Sequence, residues 1–95
     1  MTQAELNVLL DFLKTMADET RLRILAIIRE QGEMCSQELI DRMEISQSSI
    51  SRHLRQLTAT GYLVERRCNG AKCYTLNPER IQATLQALSA YLLGR

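Results

Sequence analysis

The chain of 95 residues contains no tryptophan, one proline and four glycines, and its aromatic residues are three tyrosines and one phenylalanine. Scarce proline and glycine argue against the many tight turns of a β-sandwich or barrel and favour long helices. The core must therefore consist mainly of aliphatic side chains, which the 45% hydrophobic content supplies. The length allows one domain over residues 1–95 with one modest core.

The sequence also lacks the segments that would direct it to a membrane or out of the cell. No stretch approaches the roughly 18 apolar residues of a membrane span. The N-terminal MTQAELNVLL has neither the basic nor the apolar region of a signal peptide. We therefore expect a cytoplasmic protein without membrane contact, in which three cysteines do not form a disulfide framework.

Features of catalytic sites are also missing. The chain has one histidine, no paired carboxylates in a cleft-like context and no glycine-rich phosphate loop, because Asn69-Gly70 is isolated. These absences argue against an enzyme.

Apolar residues recur at helical spacing in four segments before residue 61. Asp18 and Ser46 precede two of these segments as typical N-caps, and Ser36 is expected to cap the short helix between them. Gly32 and Gly61 follow as C-terminal stops. The predicted helices span residues 4–16, 19–31, 36–43 and 47–60.

The pattern changes after residue 61. YLVERRC and CYTL flank NGAK, and Asn-Gly between such runs is a strong signal for a hairpin with a two-residue turn. Asn77 and Pro78 then open a last helix as its cap and first residue. The predicted order is helix–helix–helix–helix–hairpin–helix, so the fold class is mainly α with a small β-hairpin.

The third and fourth helices have the spacing of a helix-turn-helix. The fourth buries Ile50, Leu54 and Leu57, and its opposite face carries no acid. That face begins with small polar groups that can approach base edges, where Gln47 suits adenine and Arg52 suits guanine. Arg55 lies one turn further along the helix, where we expect a phosphate contact. The residues expected to contact DNA are Gln47, Ser48, Ser51, Arg52 and Arg55.

Basic residues are concentrated between residues 46 and 76, although the formal net charge of the chain is only +1. Arg66, Arg67 and Lys72 lie near the hairpin tip, where a basic wing can bind phosphate or enter a minor groove. The alternative is that these charged side chains only keep an edge strand soluble. The corresponding alternative function is a winged-helix protein–protein interaction module without base readout.

Two stretches carry a family resemblance. LKTMADETRLRILAII and ISQSSISRHLRQLTATGYL, with the wing that follows, resemble the arsenical-resistance repressor (ArsR) family of winged helix-turn-helix regulators. The resemblance implies a homodimer that binds a double-stranded DNA operator and represses transcription until an inducer releases it. It places the recognition contacts on Gln47, Ser48, Ser51 and Arg52. His53 matches the family's His-Leu pair, and we expect it at the core edge, making a local hydrogen bond.

The terminal helices carry more apolar residues than one small core can bury. The resemblance implies that they form a dimer interface, and operator half-sites about 34 Å apart require two recognition helices related by a two-fold axis. A monomer that buries both helices in one core is the alternative. The residues expected at the interface are Leu6, Leu9, Leu13, Leu85, Leu88 and Leu92.

Members of the family sense metals or arsenicals at two kinds of site, and neither is complete in this chain. The stretch EMCSQEL retains Cys35 but has Gln37 in place of a second thiol, and the last helix contains no histidine or aspartate. Only Cys35, Cys68 and Cys73 remain as soft ligands. No cofactor is therefore assigned, and thiol oxidation or a thiophilic metal or arsenite remains the candidate inducer.

The hairpin register decides whether Cys68 and Cys73 can pair. A turn at Gly70-Ala71 places them opposite each other with Cα atoms about 4.5 Å apart, within disulfide range. A turn at Asn69-Gly70 places them diagonally, about 7–8 Å apart, and Asn-Gly favours this register. The basic neighbours are expected to lower the pKa of both thiols and make them reactive. We expect Cys35 near the base of the wing. A three-thiolate arsenite or cadmium site formed with Cys68 and Cys73 is the alternative, against which the position of Cys68 near the tip argues.

Overall fold

A computed structural model describes all 95 residues as five helices and a three-stranded antiparallel sheet, so the predicted fold class is confirmed. Crossing a membrane would need more length and apolar content than any of these helices has. In chain order the elements are α1 (Gln3–Met16), α2 (Glu19–Gln31), β1 (Met34–Cys35), α3 (Ser36–Met43), α4 (Gln47–Ala59), β2 (Leu63–Cys68), β3 (Ala71–Leu76) and α5 (Pro78–Leu93).

Three of the predicted helix caps are confirmed, and one is wrong. In the confirmed caps, a side-chain oxygen accepts a hydrogen bond from the backbone N–H three residues later, at 3.0 to 3.3 Å. These caps are Asp18, Ser46 and Asn77. Ser36 instead lies inside α3, and Cys35 is the cap residue. The reason is that the carboxylate of Glu38 reaches back and accepts from the backbone N–H of Cys35 at 3.1 Å.

The sheet order is β1-β3-β2. The hairpin turns at Asn69 and Gly70, whose φ angles of 50° and 81° are the positive values that a type I′ turn requires. Cys68 consequently opposes Ala71 in the ladder, and residue 66 opposes residue 73. The register favoured by Asn-Gly is therefore confirmed.

One cluster of 11 buried residues joins α1, α2, α3, α4 and the sheet. The predicted stripe of α4 lies in it, with Ile50, Leu54 and Leu57 no more than 1% exposed. Phe12 of α1 packs edge-on against Tyr62, with ring centroids 5.2 Å apart. This packing fixes α4 from behind and leaves its polar face outward.

The terminal helices α1 and α5 contact each other and leave apolar side chains exposed. Leu13, Leu85 and Leu92 are 45%, 48% and 69% exposed, and Leu6 and Leu88 are half-buried. Leu9 is only 2% exposed, so it packs inside the chain and leaves little surface for a partner. Further apolar side chains are exposed on the same helices: Val8, Leu10, Tyr91 and Leu93.

Candidate nucleic-acid interface

The side chains of α4 divide between a buried and a polar face as the sequence predicts. Gln47, Ser48, Arg52 and Arg55 are exposed, and Ser51 is half-buried. None of the five ion pairs of the chain includes either arginine. Both guanidinium groups are therefore available to an external anion or base edge.

Alternation of side chains along β2 and β3 gives the hairpin two faces. Glu65, Lys72 and Tyr74 line a polar cavity of about 190 Å³ together with Ser51 and Arg55 of α4. The face that contains them is therefore turned toward α4. It also contains Arg67, which opposes residue 72 in the ladder. We call Glu65, Arg67, Lys72 and Tyr74 the helix-side face.

The cations of the helix-side face are weakly engaged. The ammonium nitrogen of Lys72 lies 3.9 Å from Oε1 of Glu65, and both side chains are well exposed. Arg67 donates from Nη1 to the carbonyl oxygen of Gly70 at 3.1 Å. Such exposed contacts exchange easily with a phosphate. The face therefore presents two cations beside the polar face of α4.

Tyr74 anchors the base of the helix-side face. Its ring is 5% exposed, and its hydroxyl donates to Oε1 of Glu65 at 3.1 Å. Burial, together with this carboxylate, raises the pKa of Tyr74 to about 12. The hydroxyl is consequently neutral at physiological pH and holds Glu65 close to the sheet.

Arg66 lies on the opposite face of the hairpin. It donates from Nε and Nη2 to the two carboxylate oxygens of Glu33, at 2.6 and 2.8 Å. This paired hydrogen bonding holds the pKa of the Glu33 carboxyl below its usual value. The sequence grouped Arg66 with Arg67 and Lys72, whereas the structure separates them, because alternate residues of a strand point to opposite faces.

Two thiols lie beside this ion pair. We call Arg66, Cys68 and Cys73 the outer face of the hairpin. Sγ of Cys68, Sγ of Cys73 and a carboxylate oxygen of Glu33 all lie within 4.8 Å of one another. Cys68 donates to Oε1 of Glu33 at 3.7 Å, and all the cysteines are free. Two sulfurs and one oxygen therefore converge on one point.

The pKa of Cys73 moves in the direction opposite to the predicted one. Its hydrogen bond with Cys68 is the first cause, and burial and the nearby Glu33 add to it, so the pKa of Cys73 rises to about 11. The prediction that basic neighbours lower this pKa is wrong, since the charge of Arg66 is already matched by Glu33. Cys73 is consequently a protonated and unreactive thiol at neutral pH.

Cys35 lies at the base of the wing, as expected, because it pairs with Cys73 across β1 and β3. Its own thiol donates to Oε1 of Glu38 at 2.8 Å, in the first turn of α3. It stays outside the group formed by Glu33, Cys68 and Cys73. One thiol at this position does not make the three- or four-ligand site that a soft metal needs.

Arg21 connects α4 to the end of α1, a role that the sequence did not reveal. Its Nη1 lies 3.2 Å from Nδ1 of His53, and its Nε donates to the carbonyl oxygen of Thr15 at 2.7 Å. A guanidinium only donates, so Nδ1 of this 7% exposed histidine accepts the hydrogen bond. The available signal was the place of Arg21 in ADETRLRIL, beside the cap Asp18.

Comparison with known proteins points to regulators of transcription. The profile described as "Bacterial regulatory protein, arsR family" matches residues 18–64. The arsenic resistance transcriptional regulator ArsR2 of Pseudomonas putida is 43% identical over 89 residues, which cover 86% of this chain and 77% of that protein. The arsenical resistance operon repressor of Escherichia coli is 42% identical over 65 residues, or 68% of this chain and 56% of the repressor. Among solved structures, HlyU from Vibrio cholerae has a TM-score of 0.75 with 31% identity and covers 95% of this chain and 97% of its own.

Proposed function

The chain belongs to the ArsR family of bacterial regulatory proteins, DNA-binding regulators of transcription rather than enzymes, and we propose that it is a homodimeric repressor. We further propose that an inducer acting on its cysteines releases it from its operator. The observation that carries the proposal is the surface on which the polar face of α4 and the helix-side face of the wing share one cavity. No observation favours the alternative of a protein–protein interaction module.

The roles of the individual residues follow from their chemistry and position. Gln47 reads adenine through its amide, and Arg52 reads guanine through its paired N–H groups. Ser48 and Ser51 are small enough to let the helix approach the base edges. Arg55 lies next to the wing cavity and binds phosphate.

Arg67 and Lys72 extend the phosphate contacts from the helix to the wing. They are exposed and flank the polar face of α4. Arg66 has no part in this surface, since Glu33 occupies its guanidinium on the outer face. The DNA-contacting set is therefore Gln47, Ser48, Ser51, Arg52, Arg55, Arg67 and Lys72.

Dimerisation through α1 and α5 explains why these helices keep apolar side chains at the surface. An apolar groove of about 370 Å³ between α1, α2, β3 and α5 adds to the exposed leucines of α1 and α5. A contiguous apolar surface of this kind marks an interaction site. A two-fold dimer would present two copies of α4 to half-sites about 34 Å apart.

The proposed inducer is a thiophilic metal or arsenite, or a thiol oxidant. Two of the three cysteines belong to the wing, on the face opposite Arg67 and Lys72, so their chemistry acts on the hairpin that carries these two cations. Relatives named for arsenic resistance support a thiol-reactive inducer. The cytoplasm, where thiols remain reduced, is the fitting compartment.

Electrophoretic mobility shift with DNA from upstream of its own gene tests the DNA-binding site. We expect Arg52→Ala to weaken specific binding about 10–100-fold, because a paired arginine–guanine contact contributes on the order of 1–3 kcal/mol. Arg23→Ala is the matched control, since Arg23 is an exposed arginine of α2, 66% exposed. Equal binding by wild type and Arg52→Ala would exclude base reading by α4.

A reporter gene under the same promoter tests repression. Its expression should rise when the gene for this chain is deleted, and a fall in expression would exclude repression.

Sedimentation velocity tests the dimer independently of DNA. We expect Leu92→Glu, which places a charge on the exposed face of α5, to convert a dimer into a monomer. Val64→Glu on the wing is the matched control, because Val64 is also exposed, at 46%. A monomeric wild type, or a dimer that survives Leu92→Glu and Leu13→Glu together, would exclude an interface on the terminal helices.

A further inference from the structure

The outer face of the hairpin holds a cluster that the DNA-binding surface does not use. Sγ of Cys68, Sγ of Cys73 and a carboxylate oxygen of Glu33 lie within 4.8 Å of one another. Glu33 comes from the segment between α2 and β1, whereas both cysteines belong to the wing. The cluster therefore brings the carboxylate of Glu33 to two thiols that are 35 and 40 residues away in sequence.

The geometry favours a bridging cation over a disulfide. Cys68 and Cys73 are diagonal neighbours in the ladder, so their Cα atoms are about 7–8 Å apart, beyond the range of about 4.4–6.8 Å for a disulfide. Two thiolates that bind one tetrahedral metal ion lie about 3.8 Å apart, because each metal–sulfur bond is about 2.3 Å long. The two sulfur atoms already lie within 4.8 Å of each other, close to that separation.

The donor set selects the class of ligand. Two thiolates are the ligands that soft and borderline cations prefer, and one carboxylate oxygen completes a three-ligand set for Zn²⁺ or Cd²⁺. We propose that Glu33, Cys68 and Cys73 form a binding site for a divalent thiophilic cation. Each thiol releases its proton to solvent when it binds the cation. The site stands independently of the proposed function, and only its effect on DNA binding rests on that function.

Occupation of the site rearranges one ion pair. A cation bound to an oxygen of Glu33 competes with the hydrogen bonds that Arg66 donates to this carboxylate at 2.6 and 2.8 Å. Arg66 is 62% exposed and Glu33 31% exposed, so solvent screens their attraction and allows the exchange. Binding therefore weakens the contact between Arg66 and Glu33 and links the wing to the segment after α2.

The third cysteine provides the internal control. Cys35 pairs with Cys73 in the sheet, but its thiol is bound to Glu38 and lies outside the cluster. A site that used all three cysteines would lose affinity with Cys35→Ser. The proposed site would not.

Titration of the reduced protein with Cd²⁺ in the absence of DNA tests the site. The readout is the ultraviolet absorption of cadmium–thiolate bonds, with competition by Zn²⁺. We expect one Cd²⁺ per chain, a loss of affinity of about 100-fold or more with Cys68→Ser or Cys73→Ser, and a loss of about tenfold with Glu33→Gln. Cys35→Ser should match wild type. Absence of the absorption, or equal losses with Cys35→Ser and Cys73→Ser, would overturn the proposal.

A second measurement on the wild-type chain avoids any effect of substitution on folding. Cd²⁺ should protect Cys68 from alkylation by a maleimide, while Cys35 remains reactive, as read by mass spectrometry of peptides; Cys73 is already shielded by burial and gives no signal. Protection of Cys35 alone, or of none of the three, would contradict the site. Neither measurement involves DNA. A negative result in either one therefore does not count against DNA binding, and a negative mobility-shift result does not count against the cation site.

Discussion

The two faces of the β2–β3 hairpin differ in what their charged groups contact. On the helix-side face, Lys72 has only Glu65 at 3.9 Å, and it shares a cavity with α4. On the outer face, Arg66 is bound through two hydrogen bonds to Glu33 and lies beside two thiols. Three basic residues of one short motif thus separate into two environments, because the strand alternates its side chains. We infer that one hairpin combines a DNA-binding face with a cation-binding face.

The largest expected effect concerns the reactivity of the Cys73 thiol on the outer face. Because the pKa of Cys73 is raised from 9.0 to about 11, its thiolate fraction at neutral pH falls about 100-fold. We expect iodoacetamide at pH 7.5 to alkylate Cys73 about 100-fold more slowly in the folded chain than in urea. Peptide mass spectrometry over time measures the rate. Alkylation of Cys73 at equal rates in both states would show that the outer face does not shield it.

A charge reversal on the helix-side face should have the next largest effect. Lys72→Glu places an acid beside Glu65 and opposite the phosphates, so we expect DNA affinity to fall by about tenfold or more. Fluorescence anisotropy with labelled operator measures it. Lys14→Glu, in the last turn of α1, is the control and should bind as wild type does. Undiminished binding by Lys72→Glu would remove this face from the interface.

The smallest effect expected concerns stability at high pH. The folded pKa of Tyr74 is about 12 against a usual 10.0, so the unfolded chain loses this proton first. Stability from this group is present below pH 10 and declines as the pH rises from 10 to 12. Tyr74→Phe should remove that decline and cost ~1 kcal/mol at neutral pH through the lost hydrogen bond to Glu65. Urea unfolding at several pH values measures both, and an unchanged alkaline decline would contradict the assignment.

Local features of the fold were predictable from the sequence. The caps Asp18, Ser46 and Asn77, the turn at Asn69-Gly70 and the polar face of α4 each depend on residues within a few positions of one another. Such short-range preferences are visible in a pattern of residue types. The fold class followed from them, whereas the two-residue strand β1 was absent from the predicted order of elements.

The contacts that distinguish the two hairpin faces were not predictable. Glu33 meets Arg66 across 33 positions, and Arg21 meets His53 across 32, so neither pair leaves a local signal. The raised pKa of Cys73 follows first from its hydrogen bond with Cys68, and then from burial and the nearby Glu33. The burial of Leu9, which the sequence grouped with interface leucines, also depends on how α1 packs rather than on its own periodicity.

The salt dependence of operator binding tests most directly whether the two faces have different roles. Each phosphate contact that is removed lowers the slope of log affinity against log salt by about 1. Lys72→Ala and Arg66→Ala remove one cation each from opposite faces of the same ladder. We expect the slope to fall by about 1 for Lys72→Ala and to stay at the wild-type value for Arg66→Ala. An equal fall for both variants would contradict the division of the hairpin into a DNA-binding and a cation-binding face.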